Sequence, residues 1–78
     1  MGSSDVVQAF RDAATLASDS EENVNTILRS LAGESSGEEM VMRRTQLRFL
    51  QQNLREFAGL AQILANEFQQ LSKLERTH

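Results

Sequence analysis

The strongest constraint in this sequence is a run of apolar residues spaced alternately by three and four: Leu47, Leu50, Leu54, Phe57, Ala61, Leu64, Phe68 and Leu71. That spacing is the stripe of a heptad repeat, in which apolar side chains line one side of an α-helix and need another helix to cover them. The same rhythm runs through the first part of the chain. Phe10, Ala17, Val24 and Leu31 recur every seven residues, and Val6, Ala13, Ser20 and Ile27 form the accompanying column, with Ser20 its one polar member, placed to face Leu50. No proline interrupts either stretch, and tryptophan and tyrosine are absent, so strand and turn signals are scarce. The chain is expected to be all-α.

One segment reads as a loop. In residues 32–37, Gly33 is suited to a left-handed helix C-terminus, and Ser36 with Glu39 has the spacing of a capping box for the helix that follows. A connection this short makes its helices antiparallel neighbours. The expectation is a single domain over residues 1–78: a helix at 4–31, a loop at 32–37 and a helix at 38–75, forming a hairpin that completes a four-helix bundle by self-association. The alternative is a three-helix arrangement, because Ser18 with Glu21, or Asp19 with Glu22, would cap a second start within residues 18–23. The heptad phase passes through that stretch unbroken, which favours one long first helix.

A turn centred near residue 35 would set residue i of the first helix opposite about residue 70 − i of the second. Phe10 would then meet Leu60 and Ala61, and Ala13 and Ala17 would meet Phe57 and Leu54. Charge is distributed to match. Residues 1–39 carry eight acidic and two basic side chains, a balance of −6, whereas residues 40–78 carry six basic and three acidic, a balance of +3. Asp19, Glu21 and Glu22 would fall near Arg48 and Arg55.

Two helices leave apolar surface uncovered. Phe49, Leu60, Ile63 and Leu74 lie beside the main stripe of the second helix, and Val7, Ala14 and Leu28 beside that of the first, while Ala58, Ala61 and Ala65 form a row of small residues where another helix can approach. In the pairing above, residues 67–75 project past the first helix with Phe68, Leu71 and Leu74 uncovered. The partner-binding candidates are therefore Phe49, Leu60, Ile63, Phe68, Leu71 and Leu74. Their partner is expected to be a second copy of the chain, a helical segment of another protein, or both. The corresponding function is that of a non-enzymatic coiled-coil or helical-bundle interaction module: a scaffold, an adaptor or a small co-chaperone subunit.

A nucleic-acid-binding four-helix dimer is the competing reading, with Arg44, Arg48 and Arg55 gripping phosphates from one helix face. The net charge of −3 argues against it. Catalysis lacks its parts. There is no cysteine, the one histidine is the last residue, and no glycine-rich phosphate loop is present. Glu38 and Glu39 are adjacent at a helix start, where acids favour the macrodipole rather than converge on a metal; neither metal nor cofactor is expected. No apolar run reaches the roughly 20 residues of a membrane span, and the start lacks the basic and hydrophobic regions of a signal peptide. A cytoplasmic or nuclear location follows as the expectation. Gly2 suits N-myristoylation, but Val6 stands where that pattern has Ser or Thr. Met40 and Met42 read as gap-filling core residues, and Gly59 as a weak point or a close contact in the second helix.

Overall fold

The computed structural model describes residues 3–33 and 37–76. Two helices account for nearly all of them: α1, Ser3–Leu31, and α2, Glu38–Arg76. They pack side by side as a hairpin of 63 × 16 × 14 Å, a rod one layer of helices thick. Charges at the helix ends suit the macrodipole, with Asp5 in the first turn of α1, Arg29 in its last, and Glu38 and Glu39 in the first turn of α2. α1 runs unbroken through residues 18–23, so Ser18 and Asp19 lie inside a helix rather than at its start.

The ends of the connection differ from the sequence reading. Gly33 has no positive φ, and α1 instead closes with a tightened turn in which the Ala32 amide donates to the Arg29 carbonyl at 3.3 Å. At the other side the Gly37 carbonyl accepts the Val41 amide at 3.0 Å, which makes Gly37 the N-cap of α2. Gly2, Ser36 and His78 lie outside the described residues, and with them the lipidation, capping-box and terminal-histidine readings.

The contact between the helices is rotated from the expected stripe. Phe10, Ala17, Val24 and Leu31 of α1 and Leu47, Leu54 and Ala61 of α2 do turn inward, buried or half-buried. Their companion column is the expected one only in part. On α1, Val7, Ala14, Glu21 and Leu28 turn inward beside the half-buried Val6, Ala13 and Ser20, while Ile27 is exposed; on α2, Arg44, Gln51, Ala58, Ala65 and Ser72 turn inward, Leu64 is half-buried, and Leu50, Phe57 and Leu71 are exposed. At 100° per residue the buried stripe has turned by about 50°. The buried core is Val7, Ala14, Ala17, Val24, Ala61 and Ala65. Alanine explains the turn, because small side chains facing each other let two backbones approach closely, whereas Phe57 or Leu50 in the same place would hold them apart. The row Ala58, Ala61 and Ala65 is thus occupied by α1 of the same chain. Arg44 and Gln51 extend that column toward the loop, where their polar ends find partners.

The register also differs. Phe10 stacks on Phe68 with ring centroids 5.5 Å apart, Arg11 meets Gln69, Glu21 meets Arg55 and Asn25 meets Gln51. Facing residue numbers add to between 76 and 80 rather than 70. The reason lies at the turn: the Arg44 guanidinium donates to the Leu31 carbonyl, so α2 begins six residues, about 9 Å, before the level at which α1 ends. Consequently the far end of α2 does not project. Ser4, Val7, Gln8 and Arg11 share a groove with Gln69, Ser72 and Lys73, and the overhang lies at the loop end, where Val41 and Met42 are exposed and Met40 is half-buried.

Candidate interaction face

A one-layer hairpin has two broad sides, and this one dresses them differently. One side is polar. Its grooves are lined by Gln8, Arg11, Gln69 and Lys73 toward the chain ends and by Thr15, Ser18, Asp19 and Gln62 near the middle. Bridges between the helices run along it: Arg11 Nη2 donates to Gln69 Oε1 at 2.6 Å, Gln51 Nε2 to Asn25 Oδ1 at 2.8 Å, and Arg55 Nε and Nη2 both reach Glu21 Oε1 at 2.9 Å. Glu21 sits in the inward column of α1, and Arg55 extends from the neighbouring column of α2 to meet it. This is the one expected inter-helix acid–base contact that forms as an ion pair among the described residues; Asp19, Glu22 and Arg48 are exposed.

The opposite side is apolar. The rotation of the seam brings the displaced columns here, Val6, Ala13, Ser20 and Ile27 from α1 and Leu50, Phe57, Leu64 and Leu71 from α2, joined by Leu16, Leu60 and Leu74 one step further round each helix. Between the helices a groove is lined by Ala13, Leu16, Ala17, Ser20, Leu54 and Phe57. No hydrogen-bonding side chain but Ser20 enters that lining. Leu16, Ile27, Phe49, Leu50, Phe57, Leu60, Ile63, Phe68, Leu71 and Leu74 are between 37% and 68% exposed. At roughly 150–200 Å² for a large side chain, those that share the apolar side, Leu16, Ile27, Leu50, Phe57, Leu60, Leu71 and Leu74, leave roughly 700 Å² of apolar surface in water, above the ~300–600 Å² of the largest patch on a typical monomer.

The sequence-derived candidates fall at different places on this frame. Leu60, Leu71 and Leu74 belong to the apolar side, and Phe49 and Ile63 continue it along the outer edge of α2. Phe68 is set partly inward, against Phe10. Leu16, Leu50 and Phe57 belong to the face although periodicity reasoning gave the last two to the seam and passed over the first; the available signal was their large size beside a column of alanines. The arginine candidates separate. Arg44 is half-buried and bound to the end of α1, Arg55 holds Glu21, and Arg48 is exposed.

The face is edged by acids. Asp12 stands on the outer edge of α1 and Glu56 and Glu67 on that of α2, with Asp12 accepting from Gln8 at 2.9 Å and Glu56 from Gln52 at 3.0 Å. Arg11, Arg48, Arg55 and Lys73 all lie toward the polar side. At the loop end Glu39 and Arg43 form an exposed pair at 3.8 Å. Among the described residues no group of acidic or histidine side chains is placed to hold a metal ion, and no helix is long and apolar enough to cross a membrane. Comparison with family models, with characterised proteins and with solved structures gives no match, so the face is read from its chemistry.

Proposed function

We propose that this chain is a non-enzymatic helical interaction module, a scaffold or adaptor subunit that contributes two helices to a larger helical bundle. One observation carries the reading: the most deeply buried side chains between the helices are alanines and valines, while Leu16, Leu50, Phe57, Leu60, Leu71 and Leu74 are left exposed. A two-helix unit cannot enclose such side chains, whereas a bundle of four can. The arginine-face alternative has less support, since Arg44 and Arg55 are already engaged within the hairpin.

The test is a pair of charges in the middle of the face. Phe57→Asp with Leu60→Asp is expected to weaken association by more than a hundredfold, because each large apolar side chain is worth about 1.5–3 kcal/mol on burial, while circular dichroism of the hairpin stays helical. Association unchanged by the double substitution, followed by sedimentation or by partner capture, overturns the reading.

A further inference from the structure

We infer that the occupant of the apolar face is a second copy of this chain, related by a two-fold axis that runs along the helices, so that α1 of each copy lies over α2 of the other. The inference rests on the interaction reading above and adds the occupant and its orientation. It starts from the levels of the side chains. Val6 and Leu71, Ala13 and Leu64, Ser20 and Phe57, Ile27 and Leu50 are pairs whose numbers each add to 77, inside the register measured across the hairpin. The face is therefore a stack of four level layers. In each, α1 supplies the smaller or equal side chain and α2 the larger.

A two-fold axis along the helices keeps every layer at its own height and sets Ala13 over Leu64, and Ser20 over Phe57, of the second copy. Large then meets small in three layers, with Ile27 over Leu50 the equal pair, as the density of a protein interior requires. An axis across the helices would lay α2 on α2, crowding phenylalanine and leucine together on one side and leaving voids between alanines and serines on the other. The area agrees: roughly 700 Å² per copy from the large side chains alone comes close to the ~800 Å² that each partner gives to a standard stable interface.

The edges add a signature. Asp12 lies near the level of Glu67, so in this arrangement acidic edges of the two copies run side by side. Their repulsion is screened by salt. Self-association is therefore expected to tighten several-fold as salt rises from about 0.05 to about 0.5 M, and Asp12→Asn with Glu67→Gln to remove most of that dependence. A lysine-rich amphipathic helix on the same face would show the opposite slope.

The deciding experiment uses the full chain, which has no cysteine, with a single Thr45→Cys carrying a spin label. Thr45 is exposed near the loop end. With the axis along the helices, the two labels lie across a bundle of ~10 Å helix spacing and give a distance of roughly 25–35 Å. With the axis across, they lie at opposite ends, about 45 Å apart or more. A dimer with the short distance and salt-tightened association supports the inference; the long distance overturns the orientation. A folded chain that stays monomeric at high micromolar concentration overturns the occupant. If that monomer captures a lysine-rich helical peptide in low salt, the interaction reading survives with a different occupant, whereas insensitivity to Phe57→Asp with Leu60→Asp removes both.

Discussion

The inner seam and the outer face of this hairpin draw on the same two helices, and they differ in side-chain size more than in hydrophobicity. The buried part of the seam is valine and alanine, flanked by the half-buried Phe10, Leu28, Leu31, Leu47 and Leu54; the face is leucine, isoleucine and phenylalanine, half in water. Small residues are satisfied by one neighbour, since what they offer is close approach of backbones. Large ones need a core several helices thick before their volume is enclosed. The difference teaches that within a heptad pattern, the columns that close first are those that permit the closest approach, and the most apolar columns are left facing water.

That contrast can be broken at defined places. The largest effect is expected in the seam: Ala65 has no exposed surface, and Ala65→Leu forces the helices apart, lowering stability by about 1–3 kcal/mol in thermal melts. A variant that melts like the parent would show that close approach is not what orders the seam. Gly59→Ala tests the polar side. A Cβ at Gly59 meets nothing within 4 Å, so the substitution should stabilise the helix by up to about 1 kcal/mol and leave the dissociation constant unchanged; weaker association would place an interface on that side. Smallest is Glu21→Gln. Arg55 is 62% exposed at its side chain, so the ion pair is worth about 0–1 kcal/mol, and a double-mutant cycle with Arg55→Gln should give a coupling energy within that range, diminishing with salt.

Helix content and the hairpin were legible because they rest on period and on an absence of breakers. Leu47, Leu54, Ala61 and Phe10, Ala17, Val24 were placed inward for the same reason. The second column of each stripe was not, and the cause is instructive. Hydropathy ranks Leu50 above Gln51 and Phe57 above Ala58, yet Gln51 reaches Asn25 across the seam and Ala58 yields space to α1. A contact made of small or amphipathic residues has little hydropathy signal. The register was misjudged through the turn, where a symmetric loop was assumed; nothing in residues 32–37 announces that α2 starts about 9 Å beyond the end of α1. The apolar candidates on α2 were legible individually, but only the rotation of the seam shows that Leu50, Phe57 and Leu16 join them on one side.

The alanine seam has one more consequence, and it concerns the life of a newly made chain. In the proposed assembly, a hairpin held by so little burial draws added stability from association, so its resistance to opening rises with concentration. Dilute, orphaned copies are then the ones that open and meet proteases, while assembled copies are spared. For the assembly proposed above, the melting temperature is expected to climb with protein concentration, and six small buried side chains would tie the lifetime of each copy to the presence of another.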